Sequence, residues 1–313
     1  MRNQKTLAHS TTLSGIGLHS GEAATLTLHP APVDTGVVFY QKTTNAIHSC
    51  PAYINHLRPM ELCTTIGLNG FQIQTVEHLL SALAGLEIDN VYLELDGTEI
   101  PAVDGSAAPF VNLIQSVGAI DQDQPRTYLK IVRPLTVGND SRSLTVYPSA
   151  LSKISYSIDY PHPLIQHQSY VHDCSVAEFQ KNIAGARTFA FRHEVELLWA
   201  RGLGIGGSLD NTLVLSETGL MNEGGFRFHD ECVRHKVLDL IGDLSLLGIP
   251  VIGHFVAHRA GHSVHAQMVK AILDNPDAWI LLNASGEERA TIFKTASPPA
   301  KPASQIPQPA YLY

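Results

Sequence analysis

Apolar positions change period along the chain, and the changes mark its elements. Through residues 1–60 they alternate with polar ones between frequent turns. TLAHSTTLSGIGLHSG, ATLTLHPA and TGVVFYQK therefore read as strands joined by Gly- and Pro-containing loops. In IQTVEHLLSALAGL the period lengthens. Val76, Leu79, Leu80 and Leu83 form one helical face, with Gln74 or Thr75 near the start and Gly85 at the end. NVYLELDG alternates again as a strand, and PAVDGSAAPFVNLIQSVG supplies a turn and a second helix. The polar, Pro-containing DQDQPR at 121–126 reads as a linker.

Beyond it a comparable order returns. TYLKIVRPLTVG, SRSLTVYPS and KISYSIDY read as strands, VAEFQKNIAGA as a helix, and RTFAF leads into a helix at HEVELLWARGL. GLGIGGSLDNTLVLS is a glycine-rich loop entering a strand. A helix over 230–247, the strand VIGHFVAH and a helix over 263–273 follow. This order predicts an α+β fold of two related domains, 1–126 and 127–296, with a cleft between them. From Ser297 the chain runs SPPAKPASQIPQPAYLY, too rich in proline for regular structure, and 297–313 reads as a tail.

The helix over 230–247 carries the richest polar pattern. Val233, Val237, Leu240, Leu244 and Leu247 make an apolar stripe. At about 100° per residue, His235, Asp239 and Asp243 step along one polar line, with Lys236 beside it. A His and an Asp at i, i+4 can share a divalent ion, and imidazole nitrogen with carboxylate oxygen suits zinc. The same spacing also makes an ordinary surface pair worth a few tenths of a kcal/mol. Cys232, three residues before His235, shares that face and is a rival thiolate ligand. The helix leaves the choice open, and a third ligand and a base must come from elsewhere.

Glu77-His78 near the start of the earlier helix is not an HExxH pair. His78 would complete a three-ligand set with His235 and Asp239, and Glu77 could reach a water there; an exposed Glu-His pair is the plainer alternative. His262, between a strand and a helix, is a candidate general acid or a structural loop residue. GLGIGGSLD has no helix after it, which excludes a dinucleotide-binding loop.

Composition narrows the classes. A chain of 313 residues is long enough for two domains, and its net charge of −8 argues against nucleic-acid binding. The N-terminus has no apolar signal region, and no apolar run reaches membrane-spanning length. Cys50, Cys63, Cys174 and Cys232 lack CxxC spacing and read as reduced thiols of a cytoplasmic protein.

TVEHLLSAL, ARTFAF, GGSLDN, VRHKVLDLIGDL and RAGH, in that order, carry a resemblance. With GIGLHSG, LCTTIG, AVDGSAAPF and DYPHP, they make residues 4–290 similar to the bacterial UDP-3-O-acyl-N-acetylglucosamine deacetylases. Tyr160 in DYPHP, where that family has Phe, is one departure. The resemblance implies two layered β-α-α-β domains and a zinc hydrolase that removes acetate from the sugar nitrogen, the committed step of lipid A synthesis in Gram-negative bacteria. It implies His78, His235 and Asp239 as Zn2+ ligands, which removes Cys232 from the set. It implies Glu77 as general base, His262 as general acid oriented by Asp243, and Thr188 assisting the oxyanion. Lys236 and Arg259 would meet the diphosphate, Tyr160 the uracil and Phe189 the sugar, with an apolar passage for the acyl chain. Iron(II) also suits such a ligand set. A monomer acting on the UDP-sugar is expected. The rival classes are a zinc amidase or peptidase with another substrate, and a non-enzymatic sugar-nucleotide binder with a structural zinc.

Overall fold

The computed structural model describes residues 2–44, 46–59 and 62–283, with the backbone of Glu288–Arg289. The expected tail, 297–313, lies outside the described residues.

Two five-stranded sheets share one topology. In the first, Thr11–Ile16, Ala23–Pro30, Val91–Asp96, Val37–Lys42 and Ile47–Pro51 lie side by side in that order. In the second the order is Leu135–Asn139, Arg142–Tyr147, His254–His258, Lys153–Tyr160 and Gln166–Asp173. Each sheet joins two hairpins through a late-arriving central strand, antiparallel to one neighbour and parallel to the other. Each also turns one face to the core, so side chains alternate. Ala24, Leu26 and Leu28 point inward from one sheet, and Ile154, Tyr156 and Ile158 from the other.

The repeat extends to the flanking strands. Asn3–Leu7 pairs antiparallel with Ala119–Pro125, as Tyr128–Ile131 pairs with Trp279–Leu282. The segment expected as a linker is thus largely a paired closing strand. Its side chains are mostly exposed, which accounts for the polar sequence, while its backbone is engaged. Two segments expected as single strands are each divided. Pro134, which has no N–H to donate, separates Tyr128–Ile131 from Leu135–Asn139 in another sheet. Gly253 separates Val251–Ile252, paired with Tyr128–Ile131, from His254–His258 in the large sheet.

The described residues include six α-helices: α1 (Glu77–Gly85), α2 (Ala108–Val117), α3 (Val176–Asn182), α4 (Arg192–Ala200), α5 (Glu231–Leu244) and α6 (His262–Asp274). α1 and α2 bracket the central strand of the first sheet in sequence, as α5 and α6 bracket that of the second. α1 packs on α5, and this pair forms the seam between the halves. Leu79, Leu80 and Leu83 of α1 and Val233, Val237 and Leu240 of α5 are buried in one continuous core drawn from both sheets. At Gly242 the helices nearly touch: a Cβ there would lie 2.1 Å from the Glu77 carbonyl oxygen. Only glycine permits that approach.

α1 begins at Glu77, later than its periodicity suggests. Ile73 still belongs to the strand Phe71–Ile73, and Thr75 holds a left-handed φ of 59°. A β-branched residue reaches that region only when its surroundings impose it. The buried Glu99 carboxylate does so by accepting the Thr75 hydroxyl at 2.6 Å. Each half carries an insertion before its first bracketing helix. The first holds a small sheet of Leu57–Arg58, Thr65–Leu68 and Phe71–Ile73. The second holds α3, α4 and the parallel pair Phe189–Phe191 and Leu213–Leu215. No helix of the described residues is long and apolar enough to cross a membrane.

Candidate active site

His78 sits in the first turn of α1, and His235 and Asp239 stand one turn apart on α5. The tight seam brings them together from opposite halves. Asp239 Oδ1 lies 3.6 Å from His78 Nε2 and 3.3 Å from His235 Nε2, and the two rings meet edge to face at 4.9 Å. All three residues are buried. Burial holds the His235 imidazole down to about 3, so the ring is neutral. Its Nδ1–H donates to the Ala186 carbonyl at 3.1 Å, which leaves Nε2 unprotonated and free to ligate.

Burial alone would raise the Asp239 carboxyl, but His235 and Lys236 hold it well below the usual carboxylate range. With His235 neutral, the effective cation is the Lys236 ammonium, 2.7 Å from Oδ2. Asp239 Oδ1 accepts no hydrogen bond although it is buried. A bare buried carboxylate oxygen is costly. A divalent cation shared with two imidazole nitrogens would offset that cost, and this donor set fits zinc.

A second compact group, Asp243, His262 and His265, differs in being saturated. Thr64 donates its hydroxyl to Asp243 Oδ1 at 2.5 Å, while His262 and His265 donate Nδ1–H to Oδ2 at 2.7 and 2.8 Å. No oxygen of this carboxylate is left for a metal. The first group suits an ion and the second suits a proton.

Glu77 and His262 flank the His78–His235–Asp239 cluster. Burial pushes the Glu77 carboxyl up while His262 and His78 pull it down, and its Oε2 accepts the Thr64 backbone N–H at 3.0 Å. His262 opens α6, with Nε2 4.0 Å from both Glu77 Oε1 and Asp239 Oδ2. Burial disfavours charge on this ring, and so does the positive end of the helix dipole. Asp243 first, then Asp239 and Glu77, outweigh both and raise it to about 9. Burial also opposes charge on Asp243, yet the His262 and His265 imidazoles pull it down to about 2. Near neutral pH the arrangement is an imidazolium with a carboxylate behind it and the cleft in front.

A cleft of about 720 Å³ opens over these groups. Thr188 lines it, held by its N–H to the Gly105 carbonyl at 2.9 Å. Gly105 has φ +80°, and a Cβ there would meet the Asn211 carbonyl oxygen at 1.8 Å, so AVDGS and GGSLDN interlock behind the wall. The cleft lining includes the apolar side chains Leu18, Val195, Leu198, Trp199, Val214 and Met221. Val195, Leu198 and Trp199 come from α4, which has no buried residue.

A family model described as UDP-3-O-acyl N-acetylglycosamine deacetylase matches residues 4–274. The chain belongs to this family. Relatives named UDP-3-O-acyl-N-acetylglucosamine deacetylase include one from Hahella chejuensis, 46% identical over 298 residues, which span 94% of this chain and 99% of that protein. Another, from Syntrophotalea carbinolica, is 45% identical over 284 residues, 91% of this chain and 92% of its own. The relative from Myxococcus xanthus is 44% identical over 286 residues, 91% of each chain.

In this member of the deacetylase family, His78, His235, Asp239, Glu77, Asp243 and His262 gather at one point. Thr188, Phe189, Tyr160 and Lys236 line the cleft above them. The Tyr160 ring meets those of Phe189 and Phe191 at 5.7 and 5.5 Å, and the Lys236 ammonium lies 5.6 Å from the Phe189 ring. Arg259 stands on the turn before α6 with φ 48°, its N–H bonded to Ser157, whereas Arg142 and Arg192 are cleft-lining cations. Cys232, the rival ligand, is buried in the core and belongs to neither cluster. Sequence reasoning missed Thr64, His265 and the Ala186 carbonyl. The spacing in HSVH puts His262 and His265 on one helical face and could have exposed the second histidine. Nothing local marks Thr64, which meets a carboxylate 179 positions away.

Proposed function

We propose that the chain is a zinc-dependent hydrolase that removes acetate from the N-acetyl group of UDP-3-O-acyl-N-acetylglucosamine, the committed step of lipid A biosynthesis. Family membership supports the reaction class. The observation that carries the metal reading is the bare Asp239 Oδ1 facing two histidine Nε2 atoms, with a carboxylate and an imidazole beside them.

His78, His235 and Asp239 hold the zinc, which supplies Lewis-acid polarisation of the amide carbonyl and acidifies water. Glu77 accepts the proton of the attacking water, and its upward-shifted carboxyl suits a base. His262 delivers a proton from Nε2 to the departing amine, and Asp243 orients the ring and keeps it charged. The Thr188 hydroxyl assists the developing oxyanion. Lys236 and Arg259 receive the diphosphate, Tyr160 the uracil and Phe189 the sugar. The apolar side chains that α4 adds to the cleft lining take the acyl chain. Units 1–126 and 127–296 enclose the site. The reading places the enzyme in the cytoplasm of a Gram-negative cell, consistent with four free cysteines.

Metal analysis combined with acetate release from the acylated UDP-sugar tests the proposal. Expected are bound zinc and acetate release that stops on chelation and returns with zinc. Turnover only on other amides would mean a different amidase, and tight metal binding without turnover would mean a binding protein.

A further inference from the structure

Asp243 binds one more histidine than an acid–partner pair requires. His262 and His265 lie three residues apart in the first turn of α6, and both donate Nδ1–H to the same Asp243 oxygen, at 2.7 and 2.8 Å. Their rings stand edge to face, 5.9 Å apart. His265 is fully buried and does not line the cleft, so it cannot touch substrate. Burial lowers its imidazole below the ordinary value, leaving it neutral with one donor and one acceptor. An ionised carboxylate can only accept, so Nδ1 carries the proton and Nε2 accepts. The Tyr156 hydroxyl lies 3.1 Å from that Nε2 and 2.8 Å from the carbonyl of Ala260, two residues before His262. The Tyr156 hydroxyl has one proton for these two acceptors and donates to one at a time; either bond ties the strand Lys153–Tyr160 to the segment that carries both histidines, and His265 in turn bonds Asp243 on α5.

We infer that His265 is a positioning residue for the deacetylation: it fixes the Asp243 carboxylate, and through it the His262 ring, against the cleft. This rests on the roles proposed above for Asp243 and His262. Without the second donor, Asp243 Oδ2 keeps only the contact to the ring it orients, and Thr64 on Oδ1 is the one remaining anchor of the carboxylate described above, so the ring and the carboxylate can shift together. A displacement of about 1 Å at a reacting group can cost about 100-fold in rate.

The test measures kcat, KM and metal content for acetate release in His265→Leu, His265→Asn, Tyr156→Phe and Asp243→Asn, and in Asp243→Asn combined with His265→Leu. Asparagine places an N–H where Nδ1 was but fills less space, whereas leucine fills space and donates nothing. Expected is a kcat loss of about 10- to 100-fold in His265→Leu with KM and metal unchanged. His265→Asn should recover most of it, and Tyr156→Phe should fall between. The double variant should be no slower than Asp243→Asn alone, since the two changes act through one carboxylate. Unchanged kcat in His265→Leu, equal losses in the Leu and Asn variants, or additive losses in the double variant would overturn the inference. Should His265→Leu fail to fold, a slowed Tyr156→Phe beside a near-normal His265→Asn supports it, and an unslowed Tyr156→Phe overturns it. Normal kcat in Asp243→Asn would overturn instead the acid–partner reading beneath it.

Discussion

Asp239 gives one oxygen to Lys236 and leaves the other bare, so its replacement should act on metal before anything else. Asp239→Ala and His78→Ala are expected to lose stoichiometric zinc and activity together, with an unchanged circular dichroism spectrum. Cys232→Ala, altering a core residue outside both clusters, should keep the metal. With Glu77 as the proposed base beside the proposed ligands, Glu77→Ala should bind zinc and substrate but turn over at least ~100-fold more slowly; near-normal turnover would assign the base elsewhere. The raised His262 value sets the sign of the pH dependence. The ring is charged below its folded pKa, so activity falls as pH rises through it. A bound dication would pull that limb down from about 9 towards neutrality. Asp243→Asn removes the largest favourable influence and should shift the basic limb to lower pH and cut the rate, with zinc content intact. The raised His262 value contributes stability fully present below about 6.5 and lost as pH rises through about 9, while the depressed Asp243 value contributes stability present above about 3.8 and lost as pH falls through about 2.

The α1–α5 contact is the element on which the site depends. Glu77 and His78 belong to one helix and His235 and Asp239 to its neighbour, so helix spacing sets the distance between them. Gly242 holds that spacing, because its Hα faces the Glu77 carbonyl. Gly242→Ala should cost about 1–3 kcal/mol in urea unfolding, as overpacking does. It should also lower kcat, because the turn of α1 that carries Glu77 has to shift. A variant with wild-type stability and rate would show that the helices slide apart without consequence. α6 works differently: its first turn aims two imidazoles at one carboxylate, so its start matters more than its length.

Across the whole molecule, two topologically equivalent halves share one core. Leu79, Leu80 and Leu83 of the first half lose their cover without α5. Residues 1–126 expressed alone should therefore show no cooperative thermal transition and should bind a hydrophobic dye, while the intact chain melts as one unit. A cooperative melt of the isolated segment would make the halves independent. The sequence by itself determined what depends on local spacing. The 3.6-residue period located α1 and α5, and helical geometry alone aligned His235, Asp239 and Asp243. The repeated order of elements predicted two related units. The tertiary structure decided the partners. It brought His78 rather than Cys232 to Asp239, left one oxygen of that carboxylate bare, and saturated Asp243 with Thr64, His262 and His265. It also turned a polar segment that looked like a linker into a paired strand. Periodicity is a property of neighbouring residues on one backbone. Which side chain finds which partner depends on how separate elements pack, and at Gly242 that packing turns on the absence of a single Cβ.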